Sequence, residues 1–575
     1  MQWNHIQLPD PEIQTLSESL NISKILASLL LRLGISNPNK AQRFLYPRLA
    51  HLQDPYELTN MDRAVQRTIS AIKNHESVTI LGDYDVDGIT STTLLTYVLK
   101  TFGLNPHFVT PLRLEEGYGM TQAVLERALS DSHPGLLFAL DCGTNSVDEV
   151  AFLKNKGIDV IVIDHHQSKA DQTLSRDTIL INPHVYDDPE APWLNLCTVG
   201  LVFKFTHALI KNFKETDHPK ANAIDLKELL DLVALGTVSD LVPLLEENRI
   251  LTYYGLQKIQ HSNRPGIQAL NKVSGLNQSQ PLKPSDISFR LGPRINACGR
   301  LSDAALPVNM LLTDDFQKCT LAAQQLNALN QERQEIERSV TNHALELVET
   351  QGLAKQNAII SFSPDWHSGV VGIVAGKLSR IHNRPTFILT QEGESAKGSG
   401  RSIPGINLMT ALSECSDLLE SWGGHPMAAG ITLNPTKISE FIDQFNKVIS
   451  SQLDALTYLE PPLEISEYLS AEDLTEGLLE EIELLHPFGM HNPEPIFGIR
   501  NAIIPFPVTI FSEEHFRFQI KKSSGLPING IAWKMASNIP PHNVPLSLAV
   551  KFSFNYWNGR KTPQLELIDW KLPQN

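Results

Sequence analysis

The chain has 575 residues, of which 42% are apolar and 19% are charged, and its formal net charge is −16. The length predicts roughly three or four domains, and the composition excludes a disordered or membrane-embedded chain. The acidic charge argues against a protein that coats nucleic acid nonspecifically, because such proteins carry basic surfaces. The first residues contain no targeting signal, so we expect a cytoplasmic protein that does not bind membranes. Five scattered cysteines without a CxxC pair predict reduced thiols.

Residues 1–70 are predicted to form a helical segment without chemistry of its own. Short apolar runs then alternate with amphipathic segments; the runs are SVTILGDYD, PHFVTP, GLLFALDCG, DVIVIDHH and TILINP. This alternation is typical of βαβ units and predicts a Rossmann-like parallel sheet in an α/β domain. Ligands bind at the carboxyl ends of the strands in such sheets, so the residues after each run are candidates for a site.

Acids and imidazoles follow several of these strands. They are Asp83, Asp85 and Asp87, then Asp141, then Asp164, His165 and His166, with Asp240 at a later helix end. Carboxylates gathered at one sheet edge would repel one another unless a multivalent cation lay among them. Oxygen and nitrogen ligands without thiolates suit Mn²⁺ or Mg²⁺. About six ligands predict two ions that activate a water for phosphoryl displacement.

Each of these residues has a plainer interpretation when it is taken alone. The run DYDVDG resembles a calcium loop, but it lacks the glutamate that completes such a loop. Asp141 alone would be a helix cap, and two adjacent histidines alone would indicate a solvated loop or one hydrogen-bonded imidazole in the core. The joint arrangement favours the metal site.

Three further regions follow along the chain. Residues 313–350 contain no glycine or proline and predict one long helix that connects two domains. A second, smaller α/β domain is predicted over 351–455, where glycines in GSGRSIPGIN and GGHPMAAG indicate either tight turns or close backbone approach to a phosphate. Over 456–575, short β-rich runs predict a β-barrel. We expect most of its aromatic rings to lie in the core and the remainder to stack on bases. These rings are Phe516, Phe518, Phe554, Tyr556 and Trp557.

The motifs GDYDVDG, ALDCG, IDHHQ and LGTVSDLVPL, in this order, resemble those of the DHH phosphoesterase superfamily. The pieces EEGYGM, GPRINACGRLSDA, GSGRSIPGIN, GGHPMAAG and HPFGMHNPEP make nearly the whole chain similar to its bacterial exonucleases that degrade single-stranded DNA from the 5′ end. The resemblance implies a DHH catalytic domain over 71–312, a DHH-associated domain over 351–455 and an OB-fold over 456–575.

The resemblance also implies roles for single residues. It implies six metal ligands: Asp83, Asp85, Asp87, Asp141, His165 and Asp240. His166 matches an active-site imidazole, and Asp164 an acceptor that orients its neighbours. Candidate phosphate partners are Arg113, Arg294, Ser399, Arg401 and His425. For either Arg113 or Arg294 alone, a structural ion pair is an equal alternative. Leu81 stands where some relatives have a histidine, which leaves open which of the first three aspartates replaces it.

We therefore expect an exonuclease that uses two Mn²⁺ or Mg²⁺ ions to hydrolyse single-stranded DNA from the 5′ end, in DNA repair and recombination. A helicase and a single-strand-binding protein are possible partners. Two alternatives stay open: a DHH phosphoesterase acting on short RNA or cyclic dinucleotides, and a scaffold with a degenerate site. The β-rich tail counts against the first alternative, and the complete set of acids and imidazoles counts against the second.

Overall fold

The computed structural model of the protein describes residues 2–113, 115–169, 174–277, 279–455, 461–523, 526–557 and 559–573, without the side chains of residues 131 and 557. The chain forms two units. The first contains residues 1–296, 303–324 and 463–575, and the second contains 297–302 and 325–462. Within the described ranges, no helix has both the length and the apolar character needed to cross a membrane.

The N-terminal segment is helical, as expected, apart from one short strand. The strand is β1 (Trp3–Asn4), and the helices are α1 (Asp10–Leu20), α2 (Lys24–Arg32), α3 (Pro38–Leu45) and α4 (Met61–Asn74). Ser23 and Asn37 cap α2 and α3, because their side chains accept hydrogen bonds from free backbone N–H groups of the first turn.

The predicted parallel sheet follows in the first unit. Its strands are β2 (Val78–Gly82), β3 (His107–Val109), β4 (Leu136–Leu140), β5 (Asp159–Ile163) and β6 (Ile179–Ile181). Every pair is parallel, and the order is β3–β2–β4–β5–β6. Strands β2 and β4 are buried along their whole length, which explains their continuously apolar sequences. The strand order reverses between β2 and β4, and ligands bind at such reversals.

Helices connect these strands and continue after them. They are α5 (Val86–Thr101), α6 (Gln122–Asp131), α7 (Val147–Asn155), α8 (Pro183–Tyr186), α9 (Thr198–Glu215), α10 (Leu230–Ser239), α11 (Glu246–Gln260), α12 (Pro265–Val273), α13 (Pro284–Asp286), α14 (Gly292–Leu301) and α15 (Ala305–Leu312). Gly103 and Gly157 follow α5 and α7 with φ values of 101° and 75°, as predicted for helix C-caps. All five cysteines are free and buried.

The predicted long helix is α16 (Phe316–Thr350), and the boundary between the two units falls within it. After α16, the described part of the second unit forms a mixed sheet with three further helices. Its elements are β7 (Ile359–Phe362), α17 (Val371–His382), β8 (Thr386–Glu392), β9 (Ser395–Arg401), α18 (Leu408–Ser413), β10 (Ser421–His425), β11 (Ala428–Leu433) and α19 (Ile438–Leu453). The strand order is β10–β11–β9–β8–β7, with only β7 and β8 parallel among these strands. The expected second α/β domain is confirmed.

The C-terminal region of the first unit is β-rich, as expected for an OB-fold. Its elements are β12 (Leu463–Glu464), β13 (Glu467–Leu469), α20 (Glu476–Glu483), β14 (Phe497–Ile503), β15 (Thr509–Phe511), β16 (His515–Ile520), β17 (Ile528–Ala532), β18 (Pro545–Trp557) and β19 (Arg560–Lys571). Seven strands form one sheet in the order β13–β14–β18–β19–β17–β16–β15. Helices α1 to α3 share a single hydrophobic core with this sheet, and β1 pairs with β12.

Candidate metal centre

Acids occupy the positions directly after β2, β4 and β5. They are Asp83, Asp141 and Asp164, and each is at most 2% exposed. Their backbone N–H groups donate to carbonyls of the neighbouring strands at 3.1 to 3.2 Å, so the sheet itself fixes where they lie. Asp141 has a left-handed φ of 62°, a strained conformation for a residue with a side chain. The reversal point of the sheet therefore carries buried carboxylates.

These acids and the neighbouring imidazoles form overlapping clusters. There are three groups within the described residues, in each of which the ligand atoms lie within 4.8 Å of one another: Asp83, Asp85 and Asp141; Asp87, His165 and Asp240; and Asp141, His165 and His166. The structure thus brings together all six residues predicted to bind metal, and their role as ligands stays a prediction. Asp141 and His165 each belong to two groups, an arrangement that suits two neighbouring ions.

The carboxylates of this cluster crowd one another away from water. Burial, and secondly the neighbouring acids, raise the pKa of Asp83 and Asp87 well above the usual range, that of Asp85 to about 6 and that of Asp240 to about 8. Asp83 Oδ1 and Asp240 Oδ2 are buried without a hydrogen-bond partner in the described part of the chain. A divalent cation would satisfy both oxygens and offset the repulsion. Carboxylate and imidazole donors suit Mn²⁺ or Mg²⁺, so the residues fit such ions.

Two of the acids also hold the ends of helices. Asp85 Oδ1 accepts hydrogen bonds from the backbone N–H groups of Asp87 (2.9 Å) and Gly88 (3.1 Å), and so caps α5. The carboxylate of Asp87 accepts from the first two N–H groups of α9, at 2.6 and 2.8 Å. Gly88 is required because a Cβ there would lie 2.4 Å from the carbonyl oxygen of Asp83. The motif therefore places its acids through local helix capping and close backbone contact.

The two histidines have different surroundings. His165 Nε2 lies 3.5 Å from Asp141 Oδ1 and 3.5 Å from Asp240 Oδ2, in the metal cluster. His166 Nδ1 lies 2.7 Å from Asp164 Oδ1. Burial alone would lower the pKa of His166, but its hydrogen bond to Asp164 raises it to about 10. Asp164 also accepts from the backbone N–H groups of both histidines, which is the orienting geometry expected of it.

The two candidate arginines of the first unit lie beside elements that carry acids. The Arg113 guanidinium is 5.1 Å from the ring centroid of Tyr84, which stands between two cluster aspartates in the sequence. Arg294 lies in helix α14 and donates to the backbone carbonyls of Arg290 and Val273. The first residue of that helix, Gly292, packs against Ser239, the neighbour of Asp240. A Cβ on Gly292 would lie 2.8 Å from the Ser239 hydroxyl. Phosphate binding by either arginine stays a prediction.

The second unit brings Ser399 and Arg401 together at the start of α17. Arg401 Nη1 donates to Ser399 Oγ at 3.0 Å. A Cβ on Gly372, in the first turn of α17, would lie 2.9 Å from Ser399 Oγ and 3.2 Å from Arg401 Nη2. Because helix N-termini favour anions, this arrangement suits a phosphate. His425 on β10 pairs with Ala428 on β11, and Ala428 pairs with Arg401 on β9. The backbones of His425 and Arg401 therefore lie two strands apart in the same cross-strand row, at about 10 Å.

Two glycines of β9 contradict the interpretation as tight turns, whereas close backbone approach to a phosphate stays a prediction. Gly398 and Gly400 lie within the strand, where a Cβ would come within 2.1 Å of Leu389 and 2.3 Å of Phe387 respectively. Those two side chains belong to the buried core of the second unit, so glycine makes room for cross-strand packing. Gly405, with a φ of 87°, is in a turn, as expected.

Several residues in the described part of the chain contact the site and were not predicted to do so. Thr198 Oγ1 donates to Asp141 Oδ1 at 2.9 Å. The N–H of Thr144 donates to Asp164 Oδ2 at 3.0 Å. Asn182 Nδ2 donates to the carbonyl of His166 at 2.9 Å, and Tyr118 Oη lies 3.1 Å from His166 Nε2. Asn182 directly follows β6, so the rule about strand ends could have identified it. Tyr118 lies in the EEGYGM motif, but Thr198 and Thr144 have no such signal.

Comparisons with known proteins agree with this architecture. Residues 77–237 match the DHH family, N-terminal domain, residues 355–451 match the DHHA1 domain, and residues 465–569 match the RecJ OB domain. The fold and the site therefore define a protein of the DHH class. The chain is 35% identical to the single-stranded-DNA-specific exonuclease RecJ of Bacillus subtilis, over 100% of its own length and 72% of that protein. It is 34% identical to the protein of the same name from Salmonella typhimurium, over 96% and 98% of the two chains. The chain belongs to the RecJ family.

Solved structures give the same result. The crystal structure of RecJ in complex with Mn²⁺ from Thermus thermophilus superposes with a TM-score of 0.83 at 26% identity, over 100% of this chain and 80% of that one. A structure of exonuclease RecJ bound to manganese has a TM-score of 0.60 at 30% identity, over 71% of this chain and 99% of that one. Relatives of this family thus bind Mn²⁺.

Proposed function

We propose that the protein is an exonuclease that hydrolyses single-stranded DNA from the 5′ end with Mn²⁺ or Mg²⁺, in DNA repair and recombination. The observation that carries this proposal is the gathering of five carboxylates and His165 at the reversal point of the sheet, with two buried oxygens that have no partner in the described residues. The single-stranded-DNA-specific exonuclease activity named for relatives of the family supports the choice of substrate.

In this proposal each group of the site has a distinct task. Asp83, Asp85, Asp87, Asp141, His165 and Asp240 hold two ions. The chemistry that the bound ions supply is a water of lowered pKa and positive charge beside the phosphate. His166 is held by Asp164 at Nδ1, so its Nε2 points away from that carboxylate. Nε2 lies 3.1 Å from Tyr118 Oη, so donation from the Nε2–H to a phosphate oxygen requires that this contact open. The hydrogen bond to Asp164 favours the protonated form of His166.

The remaining candidates would bind the DNA strand. Arg113 and Arg294 in the first unit, and Ser399, Arg401 and His425 in the second, are proposed to bind phosphates. In the β-rich region Phe516, Phe518 and Phe554 are buried, as expected for most of its rings, whereas Tyr556 is partly exposed; the side chain of Trp557 lies outside the described residues. Trp533 is 49% exposed in the same region, and exposed rings of this kind stack on bases.

We also propose a cytoplasmic location and cooperation with a helicase and a single-strand-binding protein. Free cysteines suit a reducing compartment. An exonuclease specific for single strands needs a source of unwound DNA, which a helicase would provide.

Digestion of defined oligonucleotides tests the proposal. Linear single strands with a 5′ or a 3′ label, a circular single strand and a blunt duplex are incubated with Mn²⁺, Mg²⁺ or chelator. We expect early release of the 5′ label, no cleavage of the circle or duplex, and no activity with chelator. Equal cleavage of linear and circular strands would contradict exonuclease action. Preferred cleavage of short RNA or a cyclic dinucleotide, added as separate substrates, would support the alternative phosphoesterase.

One variant separates a metal role from a structural role. Asp85→Asn keeps the oxygen that caps α5, since asparagine caps helices as well as aspartate does, and it removes the charge that a cation needs. We expect hydrolysis to fall at least about 100-fold, with DNA affinity retained. Asp54→Asn is the matched control, because Asp54 also caps a helical turn, at Pro55–Glu57. A scaffold protein would show no hydrolysis in either the wild type or the variants.

A further inference from the structure

The first turn of α9 contacts two of the proposed metal ligands, which lie in different elements. The backbone N–H of Thr198 donates to Asp87 Oδ2 at 2.6 Å, and that of Val199 donates to Asp87 Oδ1 at 2.8 Å. The hydroxyl of Thr198 donates to Asp141 Oδ1 at 2.9 Å. Thr198 is fully buried. One residue outside the ligand set therefore links a carboxylate at the start of α5 to a carboxylate at the end of β4.

The hydroxyl of Thr198 restricts how the Asp141 carboxylate can rotate. The oxygen that it binds, Oδ1, is also the one that lies 3.5 Å from His165 Nε2. Asp141 belongs both to the group with Asp83 and Asp85 and to the group with His165, so the orientation of its two oxygens decides how it can serve both. Fixing one oxygen also fixes the direction of the other. Ligating carboxylates are commonly oriented by hydrogen bonds of this kind.

The position of α9 adds a favourable charge. A helix N-terminus carries roughly half a positive charge from its aligned peptide dipoles, and α9 has 18 residues. Both oxygens of Asp87 already accept its first N–H groups, so this helix end serves the ligands of the cluster. A glycine of α10, Gly236, leaves the space for this contact. A Cβ at that position would lie 2.7 Å from the Val199 side chain and 3.2 Å from Asp87 Oδ1.

We infer that Thr198 is a positioning residue of the metal centre: its hydroxyl holds the Asp141 carboxylate in the orientation in which it binds divalent cations. The inference rests on the metal centre of the proposed function and extends it to a residue that is not a ligand. Loss of such an outer partner typically weakens metal affinity by about 10- to 100-fold. Thr198→Val should therefore weaken Mn²⁺ binding, although it removes no ligand.

The chain offers closely matched variants. Valine is nearly isosteric with threonine and also β-branched, so Thr198→Val removes the hydroxyl and keeps the N–H that binds Asp87. Thr198→Ser restores a hydroxyl. Thr206→Val is the control, because Thr206 lies in the same helix, is equally buried and donates only within it, to the carbonyl of Val202. Thr198→Ala, which also lacks the hydroxyl, replaces the valine variant if that variant does not fold.

The experiment measures equilibrium Mn²⁺ binding to the full chain without DNA, from the electron paramagnetic resonance signal of free Mn²⁺. Circular dichroism of each metal-free variant confirms that it is folded. We expect wild type and Thr206→Val to bind two ions alike, Thr198→Val to bind at least one ion about 10-fold or more weakly, and Thr198→Ser to recover most of the affinity.

Four results would overturn the inference. Wild-type affinity in Thr198→Val, or equal weakening in Thr198→Ser and Thr198→Val, would refute the role of the hydroxyl while leaving the metal centre intact. Equal weakening in Thr206→Val would show that any buried change in α9 has the same effect. A wild-type chain that binds no Mn²⁺ would instead refute the proposed metal centre itself, and the inference with it.

Discussion

Both oxygens of the Asp164 carboxylate accept hydrogen bonds from neighbouring segments of the site. Oδ1 accepts from the backbone N–H groups of His165 and His166 and lies 2.7 Å from His166 Nδ1. Oδ2 accepts from the N–H of Thr144 at 3.0 Å. Asp164→Asn preserves the shape but removes the charge and replaces one acceptor by a donor. The asparagine NH2 group takes the place of one of the two oxygens. It therefore points at a backbone N–H, either that of Thr144 or those of His165 and His166, and a donor then faces a donor.

These contacts set the size of the expected effect. A buried N–H group without a partner costs about 1 to 3 kcal/mol, and the lost charged hydrogen bond to His166 costs about 1.5 to 3 kcal/mol. Because 31% of the His166 side chain is exposed, solvent screens the ion pair, and we expect a total loss of about 2 to 4 kcal/mol in the free energy of unfolding. The pKa of His166 should fall from about 10 toward its ordinary value near 6.5. The stabilisation from this raised pKa is complete below pH 6.5 and is lost as the pH rises through about 10.

Urea unfolding and a histidine titration measure both effects in the metal-free protein. The matched control is Asp231→Asn, because Asp231 is a buried carboxylate that accepts from Leu232 N, Ser262 Oγ and Arg264 Nε. We expect both variants to lose stability and only Asp164→Asn to shift the titration of His166, followed by NMR of labelled histidine. An unchanged titration of His166 in Asp164→Asn would refute the reasoning.

Four further outcomes are expected. Because burial raises the pKa of Asp240 to about 8, Mn²⁺ must displace a proton, so Mn²⁺ affinity should rise with pH up to about 8. Calorimetry in buffers of different ionisation enthalpy would detect the released proton. Constant affinity from pH 6 to 8 would contradict this expectation. The raised pKa of Asp240 also stabilises the metal-free fold at low pH, and this contribution is lost as the pH rises through about 8. The melting temperature of the metal-free protein should therefore be lower at pH 9 than at pH 6. Gly400→Ala should lower the free energy of unfolding by about 1 to 3 kcal/mol, because the new Cβ would collide with Phe387. The control Gly423→Ala has open space around the new Cβ and should change it by less than about 0.5 kcal/mol. Equal melting temperatures of the two variants would contradict the packing argument. Arg249→Met leaves two buried carbonyls and one partly buried carbonyl without their donor, and it should lower the free energy of unfolding in urea by about 3 kcal/mol or more.

Much of the parallel sheet and its cluster could be predicted from the sequence, because both depend on local patterns. Continuous apolar runs identified β2, β4 and β5, and the strand-end rule then placed Asp83, Asp141 and His165 at one edge. The absence of glycine and proline over 313–350 predicted α16, which begins three residues later than expected. In each case the determining information lies within a few residues of the feature.

Features that depend on distant contacts could not be predicted in this way. Thr198 reaches Asp141 and Asp87 across 57 and 111 residues, and nothing in NLCTVG indicates those contacts. The tight-turn interpretation of the strand glycines was wrong because Gly400 is explained by Phe387 on the neighbouring strand, and not by its own segment. The same holds for the N-terminal helices, whose apolar faces gave no sign that they pack against the C-terminal sheet.

That shared core has a consequence for how the chain is made. During synthesis Leu16 to Leu45 emerge first, and their packing partners from Leu469 onward follow roughly 400 residues later, which takes tens of seconds at about 5 to 20 residues per second. The early helices must stay uncovered on the ribosome for that interval, which makes them natural substrates for chaperones. A shortened chain that ends before the C-terminal sheet would keep those faces exposed permanently, so poor solubility of such a fragment would say nothing about its catalytic site.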